Sequence, residues 1–109
     1  MFILLTASLL EVTNIQFNNV ATTNMSVTWS QSQYSNFVDE YRLSRRRKDN
    51  TDQPVSITVG TTSGGGTLNG LDPGAAYFIT VTSINKQTAD TERSTQVQKE
   101  RASSKYNNI

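Results

Sequence analysis

The chain of 109 residues contains neither cysteine nor histidine. The first absence excludes disulfides, thiolate zinc sites and thiol nucleophiles. The second removes the imidazole general base, and with it the Ser/His/Asp triad. An excess of charge is missing too. Ten Lys and Arg stand against nine Asp and Glu, for a net charge of +1. A chain so balanced directs no global field at a nucleic acid or a membrane surface. Its apolar start, residues 1–10, is half of the about 20 residues that a membrane-spanning helix needs. With hydrophobic residues at 35%, the chain can fill the thin two-layer core of a single domain.

The most informative stretch is Leu71-Asp72-Pro73-Gly74-Ala75-Ala76-Tyr77. Pro73-Gly74 marks a turn, because Pro presets φ and Gly accepts φ > 0. An alternating run follows: Tyr77, Ile79 and Val81 point one way, Phe78, Thr80 and Thr82 the other. That pattern predicts a β-strand leaving a sharp corner. A Tyr at the start of such a strand can bury its ring while its hydroxyl bonds back to the turn, a tyrosine corner. Leu71 is expected to plug the core beneath it.

The motif L-x-P-G-x-x-Y, followed by alternating apolar residues and Asn85, resembles the corner and sixth strand of a fibronectin type III domain. Upstream, Val12–Val20 resembles the first strand of that family. Met25-Ser26-Val27-Thr28-Trp29 resembles the second strand with its core Trp, and Tyr41-Arg42-Leu43 the third. The resemblance covers residues 11–102. It implies an all-β, immunoglobulin-like fold, a seven-stranded Greek-key sandwich. Its first sheet would hold the strands near 12–20, 25–29 and 67–71. The second would hold those near 39–46, 55–59, 76–85 and 94–100.

In chain order, three readings stay open for residues 1–10: a remnant of a signal or of cloning, an ordered extension of the first strand, or a short anchor. Exposed, they would promote self-association. Ile15 and Phe17 are expected inward on the first strand, with Val20 capping the core. Met25, Val27 and Trp29 are inward on the second. Residues 30–38 read as a polar loop in which Phe37 packs and Tyr34 reads equally as a packed or a contact residue. Tyr41 and Leu43 face inward from the third strand. Residues 48–52 form a turn, residues 61–66 a flexible loop, and residues 86–93 the loop before the last strand. That last strand carries charges, as an edge strand does to resist foreign pairing. Residues 103–109 read as a linker or frayed tail. The structural core is expected to rest on Trp29, Tyr41, Leu71, Pro73, Gly74 and Tyr77.

Catalytic chemistry finds no support. Asp39 and Glu40 are adjacent, so on a strand they face opposite sides. Asp49/Asp52 and Asp90/Glu92 bracket turns without the spacing of a calcium loop, and read as solvated charge. Ser63-Gly64-Gly65-Gly66 lacks the G-K-[ST] end of a phosphate loop. No metal site and no cofactor is expected.

Two candidate sites remain. Arg42, Arg45, Arg46, Arg47 and Lys48 form a basic run able to grip sulfate, phosphate or carboxylate. It would serve a heparin-like glycosaminoglycan or an acidic partner, unless Asp39, Glu40, Asp49 and Asp52 neutralise it. Asn24-Met25-Ser26 is a sequon, which makes Asn24 a candidate N-glycosylation site on an exposed turn. The loop at 86–93 contains no Arg-Gly-Asp, so no integrin recognition carries over from the family.

The resemblance implies a non-catalytic interaction and spacer module of a multidomain cell-surface receptor or adhesion protein, such as a receptor-type tyrosine phosphatase or tenascin-like ectodomain. Its setting would be extracellular, and its partners other proteins or neighbouring domains. The alternatives are glycosaminoglycan binding through the basic run, a spacer in a secreted microbial enzyme, and self-association through residues 1–10.

Overall fold

A computed structural model describes residues 7–62, 64–86 and 92–106. Seven strands follow in order: β1 (Thr13–Asn18), β2 (Met25–Ser30), β3 (Glu40–Arg47), β4 (Val55–Val59), β5 (Gly65–Leu68), β6 (Ala76–Lys86) and β7 (Glu92–Ala102). Two short 3-10 turns, Ala7–Leu10 and Ser35–Phe37, complete the inventory of described elements. The strands form two antiparallel sheets, β1-β2-β5 and β4-β3-β6-β7. This is the seven-stranded sandwich that the resemblance implies, with half-buried strands where the pattern alternates.

Period-2 alternation supplies the core. Met25, Val27 and Trp29 descend from one sheet, while Tyr41, Leu43, Tyr77, Ile79 and Val81 rise from the other, all buried. The Trp29 and Tyr41 rings meet at 5.7 Å, tilted by 53°. Each fully buried aliphatic side chain of this kind contributes about 1.5–3 kcal/mol.

The corner is built as a closed hydrogen-bond unit. Tyr77 is fully buried, and its hydroxyl accepts the Asp72 N–H at 2.8 Å. Leu71 is buried beneath it, and its own N–H bonds to Thr23 O at 2.9 Å. Pro73 and Gly74 are exposed turn residues rather than core. Gly74 takes φ 70°, which a side chain would strain.

Several expectations change. Phe37 is exposed, and its neighbour Val38 is buried instead. The 3-10 turn over Ser35–Phe37 rotates the pair, so that the residue next to β3 turns inward. The loop expected over 61–66 ends early, because Gly65 and Gly66 already pair with Thr28 and Val27 of β2. A Cβ at Gly65 would lie 2.5 Å from Val27 O, so glycine there permits close approach of two strands.

At the chain's start, Leu10 is fully buried and belongs to the core cluster; residues 1–6 lie outside the described part. At its end, Ser103 is buried rather than a free tail. Its N–H bonds to Ala75 O, its hydroxyl bonds to Asp72 O, and Ser104 N–H bonds to Ala21 O. Residues 107–109 lie outside the described part. The chain therefore enters beside the loop after β2, where Ser32 donates to Leu9 O, and leaves beside the Tyr77 corner.

Candidate interaction surface

The basic run lies on β3, where strand parity divides it. Arg42, Ser44 and Arg46 project from the outer face of the four-stranded sheet. Arg45 shares the inner face with Tyr41 and Leu43 and is buried. Its guanidinium lies 5.6 Å from the centre of the Tyr77 ring. It also donates to Gly70 O at 3.2 Å and to Asp52 at 3.3 Å. Arg45 thus closes the end of the core and is no part of a cationic surface spot. That corrects its place in the expected patch, and the reason is the two-residue period of the strand.

The remaining cations are mostly engaged. Arg47 bonds to Asp72 at 2.6 Å and to Asp49 at 2.9 Å, and its backbone N–H bonds to Asp52 at 3.2 Å. The bond to Asp72, with that to Asp49, holds the guanidinium even more firmly protonated than usual. Asp49 is itself pulled below the ordinary carboxylate range, first by the Thr51 hydroxyl at 2.7 Å and then by Arg47. Lys48 pairs with Glu100 at 3.0 Å. Glu40 receives Arg42 at 2.6 Å and Lys86 at 3.1 Å, and these bonds, Lys86 first, depress its pKa. Exposed pairs of this sort are individually weak. Together they neutralise most of the run.

Arg46 differs. It pairs with no carboxylate among the described residues. Its guanidinium stacks on the Phe78 ring at 5.1 Å and bonds to the Asn50 side chain. Stacking fixes a planar donor fork on the open face of the sheet, the form in which Arg anchors protein contacts. Around it lie Arg42, Ser44, Thr80 and Thr82, half-exposed on the same face.

The acidic pair Asp49/Asp52 is spent on the turn and on Arg45 and Arg47. Asp90 lies outside the described residues. No cluster of three or more metal-ligating side chains occurs among the described residues. Asn24 is exposed on the turn before β2, where its carbonyl accepts the Ala21 N–H at 2.8 Å. Of the loop between β6 and β7, residues 87–91 lie outside the described part.

One feature of the opposite edge carried no sequence signal of its own. Between β1 and β7 a shallow depression of about 300 Å³ is lined by Ile15, Gln16, Phe17, Lys99, Glu100 and Arg101. Lys99 and Arg101 each stand 5.8 Å from the centre of the Phe17 ring, and Lys99 donates to Ile15 O at 3.0 Å. These stems cover the half-buried Phe17 and seal the seam between the sheets.

Comparisons with known proteins bear on this geometry. A family model described as fibronectin type III domain matches residues 10–100. No curated protein matches. Among solved structures, a β-sandwich protein from computer-based redesign superposes with a TM-score of 0.71 at 18% identity, covering 90% of this chain and 93% of its own. A segment of two fibronectin type III domains from chicken tenascin gives 0.69 at 21%, covering 84% of this chain and 49% of the segment. A myokine structure gives 0.61 at 18%, covering 80% and 90%. At these identities the structures speak to the fold alone.

Proposed function

The chain belongs to the fibronectin type III family, and from that premise we propose that it is a non-catalytic extracellular module, a spacer and protein-contact unit of a multidomain receptor or adhesion protein. Domains of this family are commonly extracellular interaction or spacer modules and generally non-catalytic. The observation that carries the reading is the placement of the first and last described segments, at Leu9 and at Ser103-Ser104. The chain enters at the pole of the loop following β2 and leaves at the pole of the Tyr77 corner. A domain threaded this way adds its whole length to a string of domains. A domain with both ends at one pole would add little.

The contact surface would be the outer face of β3 and β6, with Arg46 on Phe78 at its centre and Arg42 beside it. A flat sheet face with a stacked arginine suits a protein partner better than a small molecule, which needs an enclosed pocket.

The setting is tested by labelling intact source cells with a membrane-impermeant amine reagent. The exposed Lys48, Lys86, Lys99 and Lys105 should react without lysis. Labelling only after lysis would refute an extracellular module.

A further inference from the structure

The strand β4 is a free edge of the four-stranded sheet. Its inward row, Val55, Ile57 and Val59, pairs with Arg45, Leu43 and Tyr41 of β3. Those partners are buried, yet Val55 is 43% and Ile57 38% exposed. The opposing sheet ends at β5, whose inward-facing Gly66 has no side chain to cover the row. A Cβ at Gly66 would meet Leu43, Val59 and Ile57 at 3.1–3.9 Å. The result is a strip of β-branched side chains along an unpaired edge.

This edge lacks the usual defences. Residues 53–71 contain no charged side chain. Of the other three edges, β5 is only four residues long and two carry devices against pairing. β7 carries Lys99, Glu100 and Arg101, and β1 is broken by a register shift at Thr13/Gln16 with Asn14 at φ 54°. Edge charges and bulges are what normally prevent strand addition. On β4 only Pro54 serves, and it limits the edge to five residues.

The sequence of the edge points to its occupant. Val55-Ser56-Ile57-Thr58-Val59 is near-palindromic about Ile57. Antiparallel pairing with a second copy, with the two-fold axis at Ile57, places Ile57 against Ile57, Val55 against Val59, and Ser56 against Thr58. β-branched pairs and hydroxyl pairs are favourable cross-strand neighbours. The self-complementary patch is what a two-fold interface requires. No charge opposes it at close range. Arg42 and Arg46 sit one strand behind the seam, and Arg42 is paired with Glu40. Strands lie about 4.8 Å apart, so β3 of one copy would be about 14 Å from β3 of the other, beyond a physiological Debye length.

We propose that β4 is a self-association edge, on which a second copy of this chain pairs antiparallel about Ile57 to form one eight-stranded sheet. A five-residue edge is small, so the association is weak and concentration-dependent. Such contacts serve chains held close together, on one surface or in one array.

Sedimentation equilibrium of the full chain, carried to about millimolar concentration, should show a monomer–dimer equilibrium. Ile57→Lys puts like charges face to face on the axis and should weaken it at least about tenfold. A second test is independent of that variant's folding. In this cysteine-free chain, Ile57→Cys should form an interchain disulfide under mild oxidation. Ser56→Cys should not, because its mate lies opposite Thr58, beyond the roughly 7 Å Cα limit of a disulfide. A wild type that stays monomeric throughout would overturn the proposal and leave the edge to a strand of another protein. It would also be overturned by a dimer that Ile57→Lys leaves intact, or by cross-linking equally strong at both cysteine positions.

Discussion

Replacing Tyr77 or Tyr41 by Phe removes the same atom from two fully buried rings, and the outcomes should differ in size and in sign. The Tyr77 hydroxyl accepts the Asp72 N–H at 2.8 Å. Its loss leaves a backbone donor at a tight corner without its acceptor. Such a loss costs about 1–3 kcal/mol. The Tyr41 hydroxyl is equally buried but has no hydrogen-bond partner among protein atoms. Burial alone pushes its pKa up. Tyr41→Phe then removes a desolvated polar group, and should be neutral or stabilising by up to about 1 kcal/mol. Urea titrations followed by Trp29 fluorescence measure both, at unchanged slope. Equal losses, or a greater loss at Tyr41, would refute the assignment of the corner bond.

Leu10→Ala should cost about 2–5 kcal/mol, as a cavity in the core, which thermal unfolding would show; an unchanged midpoint would place Leu10 outside the folding unit. Gly65→Ala should destabilise by about 2 kcal/mol or more, since its Cβ would strike Val27 O. Acid should weaken the fold through Glu40 and Asp49, whose carboxylates are held below their ordinary values. Their contribution is present above the unfolded carboxylate range. It is lost as pH falls through the depressed folded values, so the midpoint should decline below about pH 4. Glu40→Gln should flatten that decline.

Much of the architecture could be read from residue order. Alternation over Met25–Trp29, Tyr41–Leu43 and Tyr77–Val81 implies half-buried strands, and Pro73-Gly74 implies the corner. The errors arose where tertiary packing outranked local pattern. The basic run read as one patch because five cations are consecutive or nearly so. Yet strand parity already set Arg45 with Tyr41 and Leu43, and that signal was available. Gly65 and Gly66 read as loop because glycine is poor in strands. The close approach of β2 explains Gly65, and the Leu43 and Val59 side chains facing Gly66 explain the second glycine. Phe37 and Val38 exchange roles because a single 3-10 turn rotates them. The apolar start gave no local sign of whether Leu10 reaches the core. The exposure of Val55 and Ile57 follows from where the other sheet ends, which no local pattern reports.

The described chain enters beside Ser32 and leaves beside the Tyr77 corner, at opposite poles of the sandwich. The absence of cysteine permits spin labels at Leu9→Cys and Lys105→Cys, both exposed sites. β7 runs from the first pole to the second, and its eleven residues span roughly 35 Å at about 3.3 Å each. A pulsed electron–electron distance above about 30 Å, taken at dilution where the chain is monomeric, is the result expected from that strand length. A distance near 15 Å or less would put both ends at one pole, about half of that length, and would contradict the spacer reading.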